Sequence, residues 1–190
     1  MAKKIFTPKQ SLLKGYMKQP VSRNEINLFK NKLRVFFSHV NSNESEEFNK
    51  NLIMQFLNQT FYAQQGCMVN TYERTDLAIY ERNSAGEEKP VVLFEFKGPG
   101  RPDMISKEDF RQKSIYELVL YYLREEVRNK NHDIKYLIVT DCFQFFIFEK
   151  KVFYELFAKN KKLVGEVMSA DTEKGDKTEY IYNNYIAPVI

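Results

Sequence analysis

The run Val91-Val92-Leu93-Phe94-Glu95-Phe96-Lys97 constrains this chain more than any other stretch. It is apolar enough for a strand buried on both faces, yet it ends on an acid and a base and then turns at Gly98-Pro99-Gly100-Arg101-Pro102. Strand side chains alternate between faces, so Val91, Leu93, Glu95 and Lys97 share one side and Val92, Phe94 and Phe96 the other. Such charges are costly to bury unless they pair or meet a ligand. A second strand reads in Tyr72-Glu73-Arg74-Thr75-Asp76-Leu77-Ala78-Ile79-Tyr80, with a polar turn between the two over residues 83–90. In a hairpin, Asp76 enters near the end where Glu95 and Lys97 leave, and the three converge.

The flanking elements follow from periodicity and caps. Ser22 and Glu25 form a capping box before Ile26, Phe29, Leu33, Phe36 and Phe37, which recur at helical spacing. Asn43 and Glu46 read as a second box, opening a helix that carries Phe48, Leu52, Ile53, Phe56 and Leu57 inward. A turn at Gln65-Gly66 and a short strand over 67–71 precede the hairpin. Ser106, followed by Glu108 and Asp109, reads as the cap of the longest helix, which runs to about Asn129 with Ile115, Leu118, Val119, Tyr122 and Leu123 on its apolar face. Strands over 135–140 and 143–148 and a short helix over 151–158 come next. Residues 166–177 read as a polar loop and 178–187 as the start of a last helix.

The order α-α-β-β-β-α-β-β-α predicts an α/β (α+β) domain, with a mixed central sheet between flanking helices. The hairpin is antiparallel and the long helix is the crossover between parallel strands. The chain divides into a basic arm (1–21), a core (22–165) and a segment (166–190) whose apolar end is expected to lead into a further C-terminal region.

No apolar run approaches the roughly 18–20 residues of a membrane span. No apolar stretch follows the basic start, as a secretory signal requires. The expectation is a cytoplasmic protein without a membrane partner. Cys67, Cys142, His39 and His132 lack zinc-ligand spacing, and the thiols read as reduced and half-buried. The net charge is +4, but Lys3, Lys4, Lys9, Lys14, Lys18 and Arg23 stand before any acid, so the basic excess belongs to the arm. Such an arm either contacts nucleic acid or is a solvated tail.

Glu-x-Lys alone is a weak pattern, because Glu87-Glu88-Lys89 and Glu149-Lys150-Lys151 match it and Asp133-Ile134-Lys135 nearly does. Only Glu95-Phe96-Lys97 ends a strongly apolar strand with an acid, Asp76, on the likely partner strand. Two readings stand: an ion pair at a strand end, or a metal site. In the second, Asp76 and Glu95 hold Mg²⁺, a hard cation that prefers oxygen ligands. The Phe96 carbonyl is a further ligand, while Lys97 orients a water or stabilises charge on a phosphate.

The α-β-β-β-α-β order, with Asp76 followed by Glu95-Phe96-Lys97, resembles the PD-(D/E)xK nuclease superfamily, with Thr75 in place of its proline. More narrowly, Leu13-Lys14-Gly15-Tyr16, Pro20-Val21-Ser22-Arg23, Glu44-Ser45-Glu46-Glu47-Phe48, Arg74-Thr75-Asp76-Leu77 and residues 117–125 resemble the N-terminal cleavage module of type IIG restriction–modification enzymes. The resemblance implies a restriction-endonuclease-like core that cuts double-stranded DNA with Mg²⁺, or Mn²⁺ in its place, leaving 5′-phosphate and 3′-hydroxyl ends. It also implies target-recognition and methyltransferase domains further along the full chain, with S-adenosylmethionine bound only in the methyltransferase part. Phe96-Lys97-Gly98 departs from the family's small-residue, double-lysine form.

Glu47 is either the early-helix glutamate that many members place near the metal or a first-turn acid favoured by the helix dipole. Gln112 and Tyr116 resemble the Gln-x-x-x-Tyr of recombination-type nucleases. They either approach the site from one helix face or lie at the edge of the core. Lys14, Lys18, Arg74 and Arg101, with Lys107, Arg111 and Lys113, are candidates for DNA phosphates. The rival reading is a non-catalytic nuclease-fold module that docks DNA or a protein through the basic arm.

Overall fold

The computed structural model describes residues 5–62, 65–72, 75–82, 86–172 and 177–190. Five strands form one sheet in the order β1-β2-β3-β4-β5: Met68–Tyr72, Thr75–Arg82, Glu88–Phe96, Tyr136–Thr140 and Phe145–Glu149. β1–β2, β2–β3 and β4–β5 pair antiparallel, and β3–β4 pairs parallel. The parallel pair requires a crossover, and helix α5 (Lys113–Leu123, continued by a π-helical turn over Arg124–Arg128) supplies it. The expected mixed sheet between helices is therefore present.

Strand alternation sorts the core into two layers. Ala78, Leu93, Leu137 and Val139 pack against Ile115, Leu118, Val119, Tyr122 and Leu123 of α5. On the other face, Leu77, Ile79, Val92, Phe94 and Phe96 pack with Phe36 of α3 (Arg23–His39) and Ile53 of α4 (Glu46–Leu57). Val91 joins this second layer instead of the face of Leu93, because the β2–β3 register slips between Ile79 and Tyr80, opposite Pro90. Pro90 lacks the N–H that an unbroken ladder needs.

Side-chain caps set the starts of α1 (Pro8–Ser11), α3 and α4. Ser22 Oγ accepts from Glu25 N, and Glu25 Oε2 accepts from Ser22 N at 2.7 Å, so the expected capping box forms. The second box is corrected: α4 is capped by Ser45, whose Oγ accepts from Phe48 N, and Asn43 belongs to the preceding turn. The Ser106 start is also corrected. Ser106 Oγ accepts from the amides of Glu108 and Asp109, while Ser106 N donates to Asp109 O, which closes a local turn without opening a helix. The helix begins at Lys113, tied to that loop by Ile105 N donating to Ser114 Oγ.

Before the sheet lie two short helices, α1 (Pro8–Ser11) and α2 (Lys14–Met17), and every described residue up to Glu25 is exposed. After β5 come α6 (Lys150–Phe153, continued to Ala158), α7 (Lys161–Thr172) and α8 (Thr178–Ile181, continued to Ile186). The expected polar loop at 166–177 is thus helical through Thr172. Leu163, Val167 and Ala170 recur at helical spacing and are buried, and Ile181, Tyr182 and Ile186 join the same core. These residues belong to the packed domain and not to a trailing segment. At the outer edge of β1, the Asn58 side chain donates to Val69 O and accepts from Val69 N, at 2.9 and 3.1 Å.

Asp171 fastens α7 to α5. Its carboxylate accepts two hydrogen bonds from Arg124, at 3.0 and 2.6 Å, and one from Arg128, at 2.6 Å. Burial pushes the Asp171 carboxyl up, but Arg124 and Arg128 outweigh it and hold it below 3.8. Asp171→Ala is expected to cost roughly 3 kcal/mol in urea unfolding, because it strands a half-buried guanidinium. In wild type that contribution is present above the ordinary Asp value of 3.8 and fades as the pH falls below it.

Candidate active site

Continuing the β2–β3 register by one residue from Leu77↔Phe94 sets Asp76 opposite Glu95. Directly opposed residues of an antiparallel pair share a face. Here the Asp76 side chain replaces the strand backbone as acceptor: its Oδ2 takes the Phe96 amide at 2.9 Å. Phe96 turns its ring into the α3–α4 layer and leaves only its peptide at the site. Lys97 N donates to Thr140 O at 2.9 Å, extending the parallel ladder to the end of β3.

Glu95 is 1% exposed. Its Oε1 lies 2.6 Å from Lys97 Nζ, and its Oε2 is buried without a hydrogen-bond partner. Lys97 Nζ also meets Glu117 Oε2 at 2.5 Å and lies 3.9 Å from Asp103 Oδ2. From the other layer, Glu46 Oε2 accepts the Gly98 amide at 3.0 Å. Lys50 Nζ lies 3.4 Å from Asp76 Oδ1 and 2.5 Å from Glu47 Oε2. Two carboxylates, Asp76 and Glu95, thus lie side by side with an ammonium on either flank.

The electrostatics follow from this crowding. Burial, then the charge of Asp76 and the contact with Glu117, pushes the Glu95 carboxyl well above the ordinary glutamate range, against the pull of Lys97. For Lys97, burial acts downward but Glu95 and Glu117 override it, so its ammonium is held more firmly than usual. Tyr121 and Tyr182 are raised by burial and by the same carboxylates, which places both hydroxyls within reach of the cluster's field.

The structure brings Asp76, Glu95 and Lys97 together, as the strand pattern anticipated. Among the described residues Glu47 reaches the cluster through Lys50, and its side chain is 60% exposed; the acid of that turn which touches the strand end is Glu46. Gln112 lies in extended backbone ahead of α5, not on its face, and donates to Asp109 Oδ2 at 2.8 Å. Tyr116 leans towards Tyr182, with ring centroids 6.1 Å apart. Neither belongs to the carboxylate cluster; Glu117, one residue on, does. Lys14, Lys18, Arg101, Lys107 and Arg111 are exposed, Lys113 pairs with Glu179 at 2.9 Å, and Arg74 lies outside the described residues.

Glu117 and Lys50 were not singled out from sequence. Glu117 carried a signal, an acid inside the apolar helical run from Ile115 to Leu120. Lys50 carried none beyond its position one turn after Glu47.

Among the described residues, no three Asp, Glu, His or Cys side chains converge as a metal cage. Two carboxylates, one with an orphaned buried oxygen, fit an oxygen-preferring divalent ion that keeps positions open for water or phosphate, in contrast to a closed structural site.

A raised carboxyl binds more protons folded than unfolded, so Glu95 contributes stability below 4.5 that is lost as the pH rises towards its folded value. Glu95→Gln is expected to raise the metal-free melting temperature at pH 8 by about 3 °C and to flatten its decline between pH 5 and 8. A lower melting temperature across that range would mean that Glu95 is an ordinary stabilising partner of Lys97.

Among the described residues no helix is long and apolar enough to cross a membrane. No curated protein and no solved structure matches this chain. The profile of one family does match, over residues 6–190, and the chain belongs to it: DUF7149, a domain of unknown function.

Proposed function

We propose that this chain is a divalent-metal-dependent DNA endonuclease domain, a phosphodiester hydrolase of the type IIG restriction–modification kind. The observation that carries the reading is the buried Glu95, with its unpartnered Oε2 beside Asp76 and Lys97 at the end of β3. A fully buried carboxylate next to a second negative charge costs stability. That cost is characteristic of a group whose partner is a ligand.

Asp76 and Glu95 would hold Mg²⁺ or Mn²⁺, with the Phe96 carbonyl as a further oxygen donor. When bound, the ion supplies charge neutralisation at the phosphate and a water of lowered pKa. Lys97 stays cationic between Glu95 and Glu117 and aims an ammonium at the same strand end, where it stabilises charge developing on a phosphate oxygen. Asp76, pinned by the Phe96 amide through Oδ2, presents its Oδ1 to the Lys50 ammonium at 3.4 Å. The substrate of this reading is double-stranded DNA in the cytoplasm. S-adenosylmethionine would serve only a methyltransferase domain elsewhere in a full-length enzyme.

One observation favours the rival, a binding module without catalysis. The arm exposes Ile5, Phe6, Leu12, Leu13, Tyr16, Met17 and Val21 among its lysines, a surface suited to docking.

Mn²⁺ titration by calorimetry separates the two readings. Saturable binding that disappears in Asp76→Ala is expected; equal binding in both proteins would put the ion elsewhere and return the cluster to an ion-pair role. In a plasmid-nicking assay with Mg²⁺ on the full-length protein, Lys97→Met is expected to cut at least about 100-fold more slowly while remaining folded by circular dichroism. Undiminished cutting would remove Lys97 from the catalytic group.

A further inference from the structure

The metal-site reading leaves Lys50 without a role, yet among the described residues Lys50 is the cation paired with Asp76. Asp76 has one oxygen committed: Oδ2 holds the Phe96 amide at 2.9 Å. Oδ1 is the oxygen left for a cation, and Lys50 Nζ already stands 3.4 Å from it. The same ammonium lies 2.5 Å from Glu47 Oε2, so it sits firmly on Glu47 and loosely on Asp76. The Lys50 side chain is 12% exposed and that of Glu47 60%. Glu47 therefore offers the Lys50 head group a resting place nearer to solvent than Asp76. The two residues are three apart on α4 and lie together on its surface. Lys97 has no such resting place, because Glu95 and Glu117 hold it from two sides.

We infer that Lys50 is the resident counter-ion of Asp76, and that a divalent cation enters the site by displacing the Lys50 ammonium onto Glu47. The Glu47–Lys50 pair then sets how tightly the ion is held. Two cations at one carboxylate oxygen, in a partly buried setting, repel strongly. Lys50 therefore opposes loading, and Glu47 favours it by giving the displaced ammonium a place to rest. Glu47 acts through Lys50 as a positioning residue and is not itself a ligand. The inference rests on the proposal that Asp76 is a metal ligand.

The test is Mn²⁺ affinity by calorimetry in four proteins: wild type, Lys50→Met, Glu47→Gln and the double variant, with Asp76→Ala as control. Lys50→Met is expected to bind Mn²⁺ roughly tenfold more tightly than wild type, the opposite of what removing a metal-supporting residue does. Lys50→Gln, which keeps a polar head, gives the same sign and guards against a packing defect. Glu47→Gln is expected to weaken binding in the wild-type background and to change nothing once Lys50 is Met, a coupling that the double-mutant cycle reads directly. If Glu47 ligated the ion, Glu47→Gln would weaken binding in both backgrounds, and that result would overturn the inference. Unchanged or weaker binding in Lys50→Met would overturn it too, while loss of binding in Asp76→Ala left the metal site standing. Binding that survives in Asp76→Ala, or its absence from wild type, would remove both.

Discussion

Burying an ion pair inside a sheet costs several kcal/mol per ion unless other groups complete its solvation, and the end of β3 is arranged around that cost. Leu93, Phe94 and Phe96 draw the strand between two apolar layers, and Glu95 and Lys97 go in with it because they belong to the same strand. The pair is not left alone. Glu117 reaches Lys97 from α5, the hairpin sets Asp76 across from Glu95, and β4 takes the Lys97 amide through Thr140. Solvation is nonetheless incomplete, since Glu95 Oε2 has no partner.

The site draws on both layers at once. Glu46 and Lys50 come from the α3–α4 side, Glu117 from the α5 side, and the strands carry Asp76, Glu95 and Lys97 between them. Neither layer alone assembles the constellation. The loop after β3 adds Asp103 and is fastened to the first turn of α5 through Ser114. Movement of α5 relative to the sheet would therefore change the surroundings of Lys97 before it disturbed Asp76.

Local periodicity made much of this readable in advance. The two-residue strand period and the hairpin placed Asp76, Glu95 and Lys97 together, and the crossover rule gave the parallel β3–β4 pair. What sequence did not reveal was set by packing between elements distant in the chain. Lys50 and Asp76 meet only because α4 lies over the strand ends, and Glu117 meets Lys97 only because α5 crosses the sheet. Ser106 misled because its hydroxyl satisfied a loop turn with the same chemistry it would use at a helix start. The helix through 166–172 was hidden by its charged surface, although Leu163, Val167 and Ala170 mark one buried stripe. Gln112 fell one residue outside α5, which separated it from the helix face it was meant to share with Tyr116.

The clamp of Asn58 on Val69 has a consequence for the sheet as an object that can grow. A sheet edge with unpaired peptides is a template for another strand, and Asn58 fills that place on β1 with an amide that mimics a neighbouring backbone. At the opposite border no such mimic intervenes among the described contacts. The bonds from Lys150 N to Lys135 O and from Asp141 N to Gln144 O frame the β4–β5 ladder so that the peptides of Phe145, Ile147 and Glu149 face away from it. Among the described residues, the edge peptides left open to an added strand therefore lie on the β5 side.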